Sequence, residues 1–133
     1  MSQVFLDTVG LLAIWNRADQ WHSIATTVFG QIMVERREVS ATTFVLLECG
    51  NTAARRSYRL QPSKLRSTLA RSGGLIFPTD EDWENAWSAY DVGFAGQAGI
   101  VDQVSFQVMN RLGIKEAFTN DKHFEAAGFK VLF

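Results

Sequence analysis

Apolar residues in this chain fall into two patterns. Short runs end abruptly on polar residues, and between them lie longer stretches in which apolar positions recur every three to four residues. Val4-Phe5-Leu6 is the first short run, too short for a helix and suited to a buried strand. Asp7 or Thr8 caps a helix through about Trp15, with Leu11, Leu12 and Trp15 on one face. Asp19 is the expected cap of a second helix, which reaches about Glu35 on the spacing of Ile24, Val28 and Ile32. Val39-Ser40-Ala41-Thr42 reads as a second strand, and a third helix runs from Thr43 to about Ser57. Pro62 suits the first turn of a fourth helix ending near Gly73-Gly74, and Leu75-Ile76-Phe77 is a third strand stopped by Pro78.

Thr79 or Asp80 caps a fifth helix whose Trp83, Trp87, Tyr90 and Phe94 form one aromatic stripe, facing the core or a partner. Gly93, Gly96 and Gly99 then break regular structure before a helix opens at Ile100-Val101-Asp102, with Val104, Val108 and Leu112 aligned. Glu116-Ala117-Phe118-Thr119 is a fourth strand, a helical turn surrounds Phe124, and Lys130-Val131-Leu132 closes the order as a last strand. Strands alternating with helices predict an α/β sandwich with a mainly parallel sheet.

This order gives certain acids a meaning. In open α/β sheets, ligands collect outside the carboxyl ends of the strands. Asp7 follows the first strand, Asp121 the fourth, and Asp102 opens a helix after a glycine-rich loop. Glu48 lies within an otherwise apolar helix, where it is expected to be buried and to need a partner such as Arg55 or Arg56. Asp7 and Asp102 also suit plain helix caps, and Asp121 a turn. If the four meet, they repel one another unless a cation sits among them. Oxygen ligands suit Mg²⁺ or Mn²⁺, whereas zinc favours Cys and His, and His22 and His123 are too few and too separated for it.

Composition adds limits. The 133 residues, 47% hydrophobic and 20% charged, suit one domain with a sizeable core. Cys49 stands alone, which fits a reducing compartment, and the amino-terminal residues are not of signal type. No apolar run approaches the roughly 18 residues of a membrane span, so the expectation is a cytoplasmic protein. Charge is uneven. Arg36, Arg37, Arg55, Arg56, Arg59, Lys64, Arg66 and Arg71 face only Glu38 and Glu48 in the middle of the chain, while the last part is acidic. The basic middle suits either a polyanion or a solvated helical face.

Four stretches in order, Leu6-Asp7-Thr8, Glu48 after Ser40-Ala41-Thr42-Thr43, Val101-Asp102-Gln103-Val104-Ser105-Phe106 and Thr119-Asn120-Asp121-Lys122-His123-Phe124, resemble the PIN domain. They most resemble its compact bacterial members, the VapC-type toxins of toxin–antitoxin pairs. The resemblance covers almost the whole chain. It implies a three-layer α/β/α sandwich over residues 1–133 as a single nuclease domain. It also implies a Mg²⁺- or Mn²⁺-dependent endoribonuclease that uses activated water, with Asp7, Glu48, Asp102 and Asp121 as the metal-site acids. Thr8, Ser105 and Thr119 match polar positions near that site. His123 falls in the motif as a structural residue at a helix start, and Asn120 is assigned no role. The implied partners are RNA, a cognate antitoxin whose C-terminal segment lies along an apolar groove beside the acids and offers an Arg to the site, and a second copy of the chain; Trp15, Trp21 and Phe29 are the expected groove walls. Arg36, Arg37, Arg55, Arg56 and Arg59 are candidate RNA contacts on charge alone.

Two other readings compete. One is a PIN-like module that binds RNA or protein without turnover. The other is a phosphotransfer protein, which the residues disfavour. A haloacid-dehalogenase-type phosphatase needs an Asp where Val9 stands, and a receiver needs its phosphoacceptor on the third strand, which here is Leu75-Ile76-Phe77 before Pro78.

Overall fold

In the computed structural model, which describes residues 2–133, five strands form one parallel sheet in the order β3-β2-β1-β4-β5. The strands are β1 (Val4–Leu6), β2 (Val39–Thr42), β3 (Leu75–Ile76), β4 (Glu116–Phe118) and β5 (Lys130–Val131). Helices α1 (Thr8–Trp15), α2 (His22–Val34), α3 (Thr43–Ala53), α4 (Gln61–Ser72), α5 (Asp80–Asp91), α7 (Ile100–Leu112) and α8 (Lys122–Ala126) flank it, and a short irregular turn, α6 (Phe94–Gln97), lies between α5 and α7. The result is the expected three-layer α/β/α sandwich.

β1 is the middle strand, and all three of its residues are fully buried, as an apolar strand covered on both faces requires. Strand order reverses at β1. The chain builds outward through β2 and β3, then returns to add β4 on the other side. The carboxyl ends of β1 and β4 therefore flank the switch point, where such sheets open a crevice. Register brings their ends together: Val4 pairs with Glu116, Phe5 with Ala117 and Leu6 with Phe118. One step further, Asp7 stands beside Thr119. Phenylalanines fill the layer under β4, with Phe29 against Phe118 at 5.4 Å between ring centroids and Phe106 against Phe124 at 4.9 Å.

Local chemistry explains where elements begin and stop. Asp7 caps α1 by accepting from the Val9 N–H. Asp19 does not cap α2. Its carboxylate accepts from the Trp21 N–H at 2.8 Å, which commits the side chain to a turn two residues early, and α2 starts at His22. α3 ends at Ala53, four residues short of the expected Ser57, because successive three-residue turns take over and the Arg59 guanidinium donates to the Ala54 carbonyl. Thr79 and Asp82 form a capping box at α5, and Asp82 also receives two nitrogens of Arg111, the shorter contact being 2.7 Å. Burial pushes the Asp82 carboxyl up, but the Arg111 guanidinium and the Thr79 donors together outweigh it and hold the group below the usual range. This clamp locks α5 to the last turn of α7.

The aromatic stripe on α5 does not enter the core. Trp83, Trp87 and Tyr90 remain 36–46% exposed; Phe94, expected in the same stripe, falls beyond the end of α5 in α6 and is 43% exposed, while Phe44, Trp83, Trp87 and Tyr90 touch edge to face in series. Among the described residues, no helix is long and apolar enough to cross a membrane.

Gly10 marks the closest approach of α1 to the sheet. A Cβ there would collide with the Phe118 backbone carbonyl and ring. Helix propensity favours Ala over Gly by about 1 kcal/mol, but overpacking against a backbone that cannot move away costs ~1–3 kcal/mol. Gly10→Ala is therefore expected to lower stability despite the better helix former, by up to about 2 kcal/mol. Urea unfolding midpoints check this, and an unchanged or higher midpoint would refute it.

Candidate active site

Asp7 is 1% exposed at the end of β1. Two donors hold its carboxylate: the Thr119 hydroxyl at 2.9 Å and the Val9 N–H at 3.4 Å, both on Oδ2. The Thr119 oxygen in turn accepts from the Asp121 N–H at 3.1 Å. One hydroxyl thus ties the acid after β1 to the acid after β4. Asp121 caps α8. Its Oδ1 accepts from the His123 N–H at 2.9 Å, and the His123 Nδ1 lies 2.8 Å from the same oxygen. Asp102 occupies the first turn of α7, half-buried. Ligand atoms of Asp102, Asp121 and His123 all lie within 4.8 Å of one another.

Burial and mutual repulsion set the electrostatics. Burial first, then the Asp102 charge, pushes Asp7 up to about 7, although the Thr119 and Val9 donors oppose the shift. Burial first, then Asp121 and Glu48, pushes Asp102 up to about 7 as well. No cationic side chain is among the groups that shift either acid.

The four acids expected from the sequence therefore share one electrostatic neighbourhood, but they are not equal members. Glu48 is not buried. It lies on the exposed side of α3, because the buried face of that helix is carried by Val45, Leu46, Cys49 and Ala53. It makes no salt bridge to Arg55 or Arg56 among the described residues; its partner is the Thr8 hydroxyl, which donates to Glu48 Oε1 at 2.6 Å. Ser105 is fully buried, and its hydroxyl makes no hydrogen bond. His123, read from the sequence as structural, belongs to the tightest group of potential ligands. Its place two residues after Asp121, at the start of a helix, is the signal that could have found it. Cys49 is buried, and burial pushes its thiol up to about 12, so it offers no thiolate at neutral pH.

The basic residues divide. Arg37 stands just before β2, where it pairs with Glu116 at 2.9 Å and bonds Ser2, and Arg36 precedes it. Both lie at the amino-terminal edge of the sheet, the end opposite the acids, because every strand of a parallel sheet points the same way. Arg55, Arg56 and Arg59 lie beyond the end of α3, on the side of the molecule's surface that follows the helix carrying Glu48.

The donor set fits a divalent cation. Several carboxylates, two of them desolvated and raised by their neighbours, are an unfavourable cluster that a bound cation would relieve. Asp102, Asp121 and His123 offer the ligand atoms close enough to hold it together, with the buried Asp7 and the more open Glu48 as charged neighbours.

Comparisons with known proteins bear on the family and the fold. No family model matches the chain. It is 30% identical over 132 residues to the 23S rRNA-specific endonuclease VapC20 of Mycobacterium tuberculosis, in strains CDC 1551 and H37Rv, with 95% of each chain covered. The crystal structure of Mycobacterium tuberculosis VapC20, described as a sarcin–ricin loop cleaving toxin, superposes with a TM-score of 0.78 at 25% identity over 95% of each chain. DNA-bound VapBC from Salmonella typhimurium shares the fold, with a TM-score of 0.66 at 13% identity over 98% of this chain and 97% of that one.

The raised acids make stability depend on pH in a stated direction. Asp7 and Asp102 go from 3.8 to about 7 on folding. Between those values the folded chain binds more protons than the unfolded one, so stability falls as pH rises. Metal-free protein is expected to lose several degrees of Tm between pH 5 and pH 8, and Mg²⁺ or Mn²⁺ to restore more at pH 8 than at pH 5. A Tm that is flat or rising over this range in chelator would contradict the assignment.

Proposed function

This chain belongs to the VapC family of PIN-domain toxin ribonucleases, and from that premise we propose that it is a metal-dependent endoribonuclease, the toxin of a toxin–antitoxin pair. The observation that carries the proposal is the gathering of ligand atoms of Asp102, Asp121 and His123 within 4.8 Å of one another at the switch point of the sheet, beside the buried Asp7, which Thr119 ties to Asp121. Residues 1–133 act as one nuclease domain. Asp7, Asp102 and Asp121 hold Mg²⁺ or Mn²⁺. When bound, the cation lowers the pKa of water and offsets negative charge on the phosphodiester.

The chain's own groups supply the rest. Thr119 and the Val9 N–H fix the Asp7 carboxylate, so it needs no reorganisation when substrate arrives. His123 fixes Asp121 in the same way, at 2.8 Å. Glu48, the most open of the four acids and oriented by Thr8, either joins them as a ligand or takes the proton of the attacking water; its exposure supports the second role. Water is the nucleophile and the 3′-oxygen of the RNA leaves with the break of the P–O3′ bond, so the products carry a 5′-phosphate and a 3′-hydroxyl, and no Ser or Cys takes part.

The substrate class is RNA. Because the relative at 30% identity is named for 23S rRNA, that RNA, with its sarcin–ricin loop, is the first substrate to assay. The antitoxin is proposed to lay an apolar segment along the early helices; where that surface carries Phe29 it forms a cavity of about 680 Å³ whose wall also includes Met33, Leu65, Arg37 and Glu38, at the end of the sheet opposite the acids and not beside them as the resemblance implied. Neither Trp15 nor Trp21 is part of that wall; Trp15 lines a second cavity, of about 610 Å³, with Tyr58. Self-association into a homodimer has a candidate surface in the exposed stripe of Trp83, Trp87 and Tyr90.

Purified protein with Mg²⁺ or Mn²⁺ is expected to cut ribosomal RNA at discrete positions bearing 5′-phosphates, with Asp102→Asn slower by about 100-fold or more. Ends carrying 2′,3′-cyclic phosphate would exclude the mechanism, since they require attack by the RNA's own hydroxyl. RNA binding that survives in both proteins without any cleavage would favour a module without turnover. Replacing Arg55 and Arg56 together by Ala is expected to weaken RNA binding and to flatten its log–log salt slope by about 0.7–0.9 for each phosphate no longer neutralised. An unchanged slope removes them from the interface.

A further inference from the structure

Between α5 and α7 the backbone enters the left-handed region four times, at Gly93, Ala95, Gly96 and Gln97, with φ of 70°, 58°, 68° and 62°. Glycine adopts this conformation without penalty, but Ala and Gln carry a Cβ that opposes it. Such a segment persists only where its surroundings over-determine it. Inside the turn, the Gln97 N–H donates to the Gly93 carbonyl at 3.0 Å and the Ala98 N–H to the Phe94 carbonyl at 3.3 Å. The other restraint comes from α7. Gln103 is fully buried, and its Nε2 donates to the Phe94 carbonyl at 2.9 Å and the Ala98 carbonyl at 3.3 Å.

Gln103 is a costly residue for that position. Its Oε1 is buried and has no hydrogen-bond partner among the described residues. A buried acceptor left unpaired is a net penalty, whereas an apolar side chain of similar volume would carry none. What Gln103 supplies that an apolar residue does not is the pair of donors that grips both ends of the turn.

The turn separates two parts of the acid site. It leads through Gly99 into the first turn of α7, where Asp102 immediately precedes Gln103. On its other side, a Cβ at Gly96 would lie 3.7 Å from the His123 ring, and His123 holds Asp121 through both its backbone N–H and its Nδ1. The turn is a spacer between Asp102 and the Asp121–His123 pair.

We propose that Gln103 is a positioning residue: by clamping the left-handed turn at Phe94 and Ala98, it fixes the separation of Asp102 from Asp121 and so the affinity of the site for a divalent cation. The proposal rests on the metal-site reading given above. The side chain touches no reacting atom and acts only through the turn.

The test titrates Mn²⁺ into the full chain by calorimetry and follows thermal unfolding and 23S rRNA cleavage alongside. Gln103→Met keeps the volume and removes the donors. It is expected to unfold cooperatively, to bind Mn²⁺ about 10-fold or more weakly, and to lose kcat while KM for RNA stays within about twofold. Adding Ala95→Gly to Gln103→Met removes one opposing Cβ and is expected to recover affinity severalfold, which a purely space-filling role for Gln103 would not produce. Gly96→Ala strains the turn through its φ of 68°, with Gln103 intact, and is expected to weaken Mn²⁺ binding too; it serves as the test if Gln103→Met does not fold. Variants that bind Mn²⁺ as wild type does would overturn the positioning role alone. Wild-type protein that binds no Mn²⁺ would overturn the metal-site reading beneath it.

Discussion

Carboxylates that repel one another stand together at the carboxyl ends of β1 and β4, and the surrounding structure is arranged to keep them there. Asp7 is buried, and Asp102 feels both Asp121 and Glu48. Left to itself such a cluster would spread apart or take up protons. It is held because each member is fixed by an element with its own reasons for being where it is. The parallel register of Leu6 on Phe118 brings Asp7 beside Thr119, and the Thr119 hydroxyl then serves both Asp7 and the Asp121 backbone. Strand pairing, a backbone property, is thereby converted into the spacing of two charges.

The helices complete the restraint from outside. α7 carries Asp102 and is held near both ends, by the Asp82–Arg111 clamp at its last turn and by the Gln103 bonds to the preceding left-handed turn. α1 packs so closely that only glycine fits at position 10, against the carbonyl of the residue preceding Thr119. α3 presents Glu48 from the more open side, oriented by a hydroxyl from α1. An acid site built in this way is stable in its geometry and unstable in its charge, which is the condition that favours a divalent cation over a side-chain counter-ion.

Charge is segregated along the chain and across the molecule. Arg37 has a structural part at the amino-terminal edge of the sheet, where with Ser2 and Glu116 it fastens the starts of the strands. Arg55, Arg56 and Arg59 instead follow α3, the helix that carries Glu48. Proximity in sequence therefore says little about which arginines serve a polyanion. The aromatic stripe on α5 shows the same limit. Its spacing identifies one face of a helix, but whether that face meets the core or solvent depends on what packs over it.

Much of this molecule was legible from residue order. Alternating short apolar runs and helical periodicities gave five strands and the helices between them, because burial on both faces of a parallel sheet demands continuous apolar strands. Asp7, Asp102 and Asp121 stood out for the same reason: each interrupts or follows an apolar element where a charge is expensive. Residue order did not reveal that Glu48 faces outward, that Asp19 is consumed by a turn, that Arg37 is committed to Glu116, or that His123 and Gln103 bear on the site. Each of these depends on how segments distant in sequence meet, and that is decided by strand register and helix packing. Apolar periodicity and the cost of a misplaced charge are local, so the sequence alone determined the elements and the acids that end them. Which of those acids meet, and what holds them, is a matter of distance in space, and only the tertiary structure decided it.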